Sequence, residues 1–390
     1  MAKQSMGTVR YNSRTGNYEA RIQHGVKANG KPNVKVFYDK DEKEAKKKLE
    51  VYKAKVLLFG VAERVKSISL SAYVLEWLEL HKKAELKPRA YDTIESTVKT
   101  HIIPNLGMIQ VGAVTSTHIQ RVLNQMVDDG YSYSTYKKVY QALNGIFTQA
   151  IKEYAIDKNP MTGVTRLKAD SDRFPEPRDI VFLETDDIEK FTIEARREWS
   201  NNRPVYRMGL GLILMLHTGI RSAEALGLRF RHINLVNNEM YVQETLLTVK
   251  NRNENAATNY TQVTGTTKTK TSRRTVHLTP KAVEAINALN NLYHYAPDDY
   301  IFHAKNNNPY QERNLRRLLN NVLTKADTTV QNVGLHTLRH TFASNMWKHG
   351  VDIKTISQQL GHKDSSFTMD TYIHVFGDTV IKSFERMDMM

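Results

Sequence analysis

Four side chains near the end of the chain read as one site: His336, Arg339, His362 and Tyr372. His336 and Arg339 lie three positions apart at what reads as a helix start, so they share a face. Tyr372 stands ten positions after His362. A fifth residue, Arg221, follows His217-Thr218-Gly219 and opens the run Ser222–Leu228. That places it at a helix start beside free backbone N–H groups, where a phosphate binds well. Arginine also grips phosphate oxygens in two places. His336 and His340, four apart, supply half of a metal site. Neither a Glu at the second position nor a cysteine completes it, so no metal and no cofactor are expected. Singly, each piece has a plainer reading: a surface turn, a helix end, or, for Tyr372 among 19 tyrosines, ordinary packing. Order and spacing together favour a site.

Such a site needs rigid supports, and the local patterns supply them. Around His336, Phe342, Met346 and Trp347 form an apolar stripe, and Gly350 stops that helix. Asp352 caps the next helix, with Ile353, Ile356 and Leu360 apolar, and Gly361 ends it just before His362. Upstream, Val205–Leu216 reads as a buried helix leading to Arg221, and Thr185 reads as the N-cap of an earlier helix. Strands are expected at Met240–Val249 and Arg274–Leu278. The polar segment Asn251–Thr266 between them reads as an extended hairpin tip or mobile loop.

These pieces resemble the boxes of the tyrosine recombinases, the phage integrase family. That family carries His-x-x-Arg, Leu-Gly-His and a nucleophilic tyrosine about ten residues later. Here they are His336-Thr337-Leu338-Arg339, Leu360-Gly361-His362 and Tyr372. The block from Thr218 to Glu224 resembles the family's Thr-Gly-Leu-Arg-x-x-Glu box. Phe230, His232 and Asn234 depart from it at positions that are structural in the family. The family's Lys-Thr-x-x-x-Arg-Arg setting implies a catalytic lysine, assigned to Lys268 with Lys270 as runner-up. The resemblance implies a division of roles. Tyr372 attacks the scissile phosphate. Arg221 and Arg339 hold its non-bridging oxygens, with His362 in support. Lys268 protonates the leaving 5′-oxygen, and His336 accepts the tyrosine proton or hydrogen-bonds the phosphate. A phosphotyrosyl bond stores the phosphodiester energy, so no ATP is needed. Strand exchange through a Holliday junction then follows, on a tetramer. The rival readings are a type IB topoisomerase and a catalytically silent DNA-binding regulator. The N-terminal basic module and compact box spacing disfavour the first; the intact set of six residues disfavours the second.

The fold class expected is α+β and multidomain. Residues 1–66 show three short strand-like runs and a helix from about Asp41 to Leu58, with Ala45, Leu49, Val51 and Tyr52 inward. They hold 16 Lys+Arg against 7 Asp+Glu, which reads as a phosphate-binding surface. This module resembles the AP2-like arm-binding domain of phage and conjugative-transposon integrases. Residues 67–168 read as helical, with caps at Ser69 and Val114-Thr115-Ser116, a helix start at Ser132–Ser134 and a helix Tyr91–His101 stopped by Pro104 and Gly107. They resemble the family's core-binding domain. Residues 169–180 read as a linker, and 181–390 as a mainly α catalytic domain with a small antiparallel sheet.

The chain of 390 residues carries a formal net charge of +15 and no cysteine. No apolar run reaches the ~18–20 residues that span a bilayer, and the N-terminus shows no secretory core. Disulfides, zinc fingers and thiol nucleophiles are excluded. The expected setting is the bacterial cytoplasm. The expected partners are double-stranded DNA at core and arm sites, further copies of the chain, an excision factor and a DNA-bending host protein. In the tail, Val380, Phe384 and Met387 would share one stripe of a helix, suited to a groove on the same or a neighbouring subunit.

Overall fold

The structure is a computed structural model that describes residues 7–26, 32–59, 68–176, 179–253, 256–266, 273–369 and 371–372. The chain forms two compact units, Met1–Pro177 and Arg178–Met390. The mixed architecture expected from the sequence is the one found: many helices, with small antiparallel sheets.

The first unit opens with β1 (Thr8–Asn12), β2 (Asn17–Val26) and β3 (Pro32–Asp39), a sheet in that order, followed by α1 (Glu42–Phe59). Alternation along β2 sends Ala20 and Ile22 into a small core with Ala45, Leu49 and Tyr52 of α1. Glu19 lies on the opposite face, where Arg10, Asn12 and Arg21 all donate to its carboxylate. Val51, expected inward, is half exposed. The buried stripe of α1 runs 45, 49, 52, and position 51 falls off it.

The helical part holds α2 (Leu70–Trp77), α3 (Pro88–Thr97), α4 (Ser116–Asp128) and α5 (Tyr133–Lys152). Caps form at the expected helix starts: Ser69, Thr115 and Ser132 each accept from a backbone N–H three residues on, each worth about 1 kcal/mol. Leu70, Trp77, Ile102, Leu123 and Phe147 fill the core. Pro104 does not stop a helix. A π turn at Val98–Ile102 carries α3 into a further turn, Ile103–Leu106, with Pro104 in its first positions. There a missing N–H costs nothing. Phe174, in the stretch read as linker, packs edge-on against Tyr133 and Tyr136.

The second unit contains α6 (Thr185–Ala195), α7 (Gly209–Thr218), α8 (Ser222–Leu226), β4 (Ile233–Asn234), β5 (Glu239–Val242), β6 (Glu244–Lys250), β7 (Tyr260–Thr266), β8 (Arg274–His277), α9 (Pro280–Tyr293), α10 (Glu312–Lys325), α11 (His336–Lys348) and α12 (Ile353–Leu360). Glu184, not Thr185, is the cap residue of α6. The helix expected from Val205 begins at Gly209, because the Val205 N–H bonds back to Arg197 O and holds the preceding residues in a tight connection. The expected strand Met240–Val249 divides between two sheets, one ordered β4-β5-β8 and one pairing β6 with β7. The second half of the presumed loop, Tyr260–Thr266, is strand β7. Thr261 and Val263 pair with Val249 and Leu247, so β-branched residues override the polar composition. The core packs α7, buried along most of its length, against Val276, Ile286, Leu319 and Leu338. The three departures from the family box find partners. Phe230 stacks on Tyr295, His232 accepts from the Arg229 N–H, and Asn234 accepts from the Val236 and Asn237 N–H groups.

Candidate active site

Two helix ends build the centre of the site. Helix α7 ends at Gly219 with φ +63, and α12 ends at Gly361 with φ +69. Both are left-handed ends that glycine tolerates. At Gly219 a Cβ would also stand 2.4 Å from the Phe342 ring, so the position has no room for a side chain. The two turns present their carbonyls to two arginines. Arg339 donates through Nη1 to Gly219 O and through Nη2 to Leu360 O, both at 2.8 Å. Arg221 donates through Nη2 to Gly361 O at 3.3 Å. Carbonyls at the negative ends of helix dipoles thus hold both guanidiniums.

Arg221 stands at the start of α8, as the sequence suggests, but its own N–H is not free. The Glu224 carboxylate reaches back to it at 2.9 Å. The group of Arg221 left to face solvent is therefore the guanidinium, one-third exposed. Glu224 also accepts from Arg221 Nη1 at 2.8 Å and from both terminal nitrogens of Arg274 at 3.0 Å. Arg274 Nε donates to Gln359 O at 2.7 Å, which ties β8 to α12. Burial alone would raise the Glu224 pKa. The Arg274 and Arg221 hydrogen bonds and charges overcome that and hold it down to about 2. Glu224 and Arg274 belong to the site and were missed as site residues. The signal was present: Glu224 lies three positions after Arg221, the spacing of a carboxylate that caps its helix, and Arg274 closes the Arg-Arg pair.

Arg339 is 3% exposed. Burial first, then the Arg221 charge, pushes its pKa down to about 9. Two guanidiniums, of Arg221 and Arg274, bond the Glu224 carboxylate, and a third, of Arg339, feels its charge without bonding it, leaving excess positive charge that a phosphate would neutralise.

His362 follows Gly361, and its Nε2 lies 2.7 Å from Arg339 Nη2 while its Nδ1 lies 2.7 Å from Thr368 Oγ1. Burial, then the charges of Arg339, Arg221 and Arg274, push its pKa down to about 3. The ring is therefore neutral at pH 7. His336, the first residue of α11, is exposed. Desolvation first, then the charges of Arg339 and Arg221, hold its pKa below the usual value.

Tyr372 is buried, 1% exposed, in a cluster with Phe342, Ala343, Ile356 and Leu360. Its hydroxyl lies 2.9 Å from Nδ1 of His340, a residue weighed in the sequence only as half of a metal site. Burial raises the Tyr372 pKa to about 12 against the lowering pull of Arg339. The fold thus gathers Arg221, His336, Arg339, His362 and Tyr372. Lys268 and its runner-up Lys270 lie outside the described residues, between the end of β7 at Thr266 and the start of β8 at Arg274. The tail after Tyr372 lies outside them as well. Among the described residues no group of three His, Cys, Asp or Glu side chains could hold a metal ion. No helix there is long and apolar enough to cross a membrane.

Comparison with known proteins gives a consistent result. Residues 181–378 match the phage integrase family and residues 70–166 match the phage integrase central domain. A tyrosine recombinase XerC-like protein of Caldanaerobacter subterraneus subsp. tengcongensis is 28% identical over 384 residues, 95% of each chain. The ICEBs1 integrase of Bacillus subtilis is 21% identical, covering 84% of each. Among solved structures, the Tn1549 transposon integrase in complex with transposon right end DNA superposes with a TM-score of 0.63 at 19% identity, over 82% of this chain and 99% of that one. A lambda integrase dimer bound to a COC′ core site gives 0.56 at 17% identity, over 93% of each.

Proposed function

This chain belongs to the phage integrase family, and we propose from that premise how it carries out site-specific DNA recombination as a mobile-element tyrosine recombinase. The observation that carries the reading is the joining of Arg339 to His362 at 2.7 Å, with Arg221 and Tyr372 in the same cluster. Arg221 and Arg339 hold the two non-bridging oxygens of the scissile phosphate, and His362 supports one of them. The Tyr372 oxygen attacks phosphorus. An O–P bond to tyrosine forms, the bond from phosphorus to the 5′-oxygen breaks, and Lys268 gives that oxygen a proton. The tyrosine proton leaves its hydrogen bond as the O–P bond forms and passes to His336, or to solvent where His336 instead hydrogen-bonds the phosphate. The result is a 3′-phosphotyrosyl link and a free 5′-hydroxyl. Attack by a 5′-hydroxyl of a second strand reverses the chemistry and exchanges strands through a Holliday junction.

In the same reading, residues 1–66 bind arm sites, 67–168 bind the core site, 169–180 link, and 181–390 perform the chemistry on a tetramer assembled on DNA in the bacterial cytoplasm. An excision factor and a DNA-bending host protein are the accessory partners proposed with it. Similar proteins support it: one is the ICEBs1 integrase, one solved neighbour is the Tn1549 transposon integrase in complex with transposon right end DNA, and another is a lambda integrase tetramer bound to a Holliday junction. The test is Tyr372→Phe on a nicked suicide substrate. It should bind DNA as the wild type does and form no covalent adduct; an adduct would move the nucleophile to another tyrosine.

A further inference from the structure

The Tyr372 hydroxyl meets His340, not His336. The contact is 2.9 Å to Nδ1, and the two rings meet edge to face with centroids 5.6 Å apart. His340 follows Arg339 directly on α11, one turn after His336. Arg339 is itself held by two carbonyls, so the place of His340 relative to the phosphate-gripping guanidinium is set by one rigid element. Residues 365–369 and 371–372 are helical, so Thr368 and Tyr372, four apart, lie on one face. Thr368 is tied to His362. The stretch bearing Tyr372 is thus fixed twice to the site, by Thr368 to His362 and by the phenol to His340.

We propose that His340 is a positioning residue for the recombination reaction: its Nδ1 accepts the hydrogen bond of the Tyr372 hydroxyl and holds that oxygen in place to meet the phosphate beside Arg339. The proposal rests on Tyr372 as the nucleophile. A phenol oxygen has one proton and two lone pairs. Donating the proton to Nδ1 turns it aside and leaves the lone pairs for phosphorus. An acceptor must be neutral, and His340 is: burial, then the neighbouring His336 and Arg339, push its pKa down to about 4. Attack requires the oxygen within about 3–3.5 Å of phosphorus and in line, and a misplacement of about 1 Å costs on the order of 100-fold in rate.

The experiment compares His340→Asn, His340→Gln and His340→Ala in the full chain. It measures single-turnover adduct formation on a nicked suicide substrate and, separately, DNA affinity. The Asn amide places an acceptor where Nδ1 lies; the Gln amide places it where Nε2 lies. Neither serves as a base. Ala and Gln should lower the adduct rate by on the order of 100-fold with affinity unchanged, while Asn restores most of the rate. An Ala variant as fast as the wild type, or faster, overturns the proposal. So does an Asn variant no better than Gln, which also decides the matter if Ala fails to fold. Tyr372→Phe runs alongside: an adduct there brings down the nucleophile assignment itself, whereas a dead Tyr372→Phe with fully active His340 variants brings down only the role of His340.

Discussion

Arg339 Nη2 stands 2.7 Å from His362 Nε2, and that contact decides the tautomer of the histidine. A guanidinium only donates, so Nε2 must accept and the ring proton sits on Nδ1. From there it reaches Thr368 Oγ1 at 2.7 Å. Thr368 is fully buried, and its hydroxyl keeps the imidazole in the orientation that faces Arg339.

Thr368→Val keeps the shape and removes the acceptor. The Nδ1 proton then loses its partner in a buried site, at a cost of about 1–3 kcal/mol. The expected result is a lower melting temperature and slower covalent adduct formation, with DNA affinity preserved. Thr368→Ser should restore both. Equal rates for the Val and Ser variants would show that the hydroxyl does not orient His362.

Glu224 joins Arg221 to Arg274 from a position 4% exposed. Removing it as Glu224→Ala leaves two guanidiniums without their carboxylate, which costs roughly 3–5 kcal/mol in a buried pair. The pKa, lowered to about 2, sets the acid behaviour. In the unfolded chain the carboxyl titrates at its ordinary value, so the folded state favours its charged form. Its contribution is complete above that ordinary value and is lost as the pH falls towards 2. Glu224→Gln should therefore flatten the fall of the melting temperature below pH 5. An unchanged acid limb would place the pH-sensitive contact elsewhere.

His362 and His340 act at higher pH. Both have lowered values, about 3 and about 4, so the unfolded chain takes up their protons first. Stability should decline as pH drops below about 6.5 and keep declining towards pH 4. Melting curves from pH 8 to pH 4.5 should show this slope in the wild type and a smaller one in His340→Asn. A slope equal in the two proteins would exclude His340 from the effect.

Much of the site was legible in the chain because its residues are anchored by short local devices. Gly219, Gly350 and Gly361 end helices as their types suggest, and Asp352 caps α12 through the Thr355 N–H. These fix where Arg221, Arg339 and His362 emerge. Less legible were contacts between distant segments. The bonds from Arg274 to Glu224 and from His340 to Tyr372 span 50 and 32 positions, and no local period encodes them. Strand β7 was hidden for a different reason: its threonines and glutamine read as loop polarity, and only pairing with β6 shows them as a half-exposed strand.

The proton donor is the next test. Lys268 is assigned by its place before Arg273-Arg274, and Arg274 is anchored to Glu224 and to Gln359 O, so the chain re-enters the site at β8. If Lys268 protonates the leaving 5′-oxygen, a 5′-bridging phosphorothiolate substrate should rescue Lys268→Ala, because sulfur leaves without a proton. Lys270→Ala should be active on both substrates. Rescue of Lys270→Ala in place of Lys268→Ala would exchange the two roles.

The last prediction concerns the N-terminal sheet. Residues 1–66 carry a net charge of +9, and the face of the sheet turned away from α1 bears Arg10 and Arg21. Glu19 between them is 3% exposed, while the two arginine side chains remain 58% and 40% exposed. The carboxylate therefore holds the guanidiniums in place from below and does not remove them from solvent. Two jobs are available to such arginines. A phosphate contact strengthens binding to every sequence alike and adds to its salt dependence, whereas a base contact in the major groove distinguishes sequences. Each phosphate neutralised steepens the plot of log affinity against log salt by about 0.9. A chain starting at Ser67 should therefore lose tight binding to arm sites, keep weak binding to the core site, and show a shallower salt slope. Glu19→Gln in the full chain separates the two jobs. It leaves the positive charge in place and weakens what orders it, so it should preserve the salt slope and reduce the preference for arm sites over random duplex. A preference unchanged by Glu19→Gln would mean that Arg10 and Arg21 contact only phosphates. A salt slope unchanged by removing residues 1–66 would mean that this module does not touch DNA.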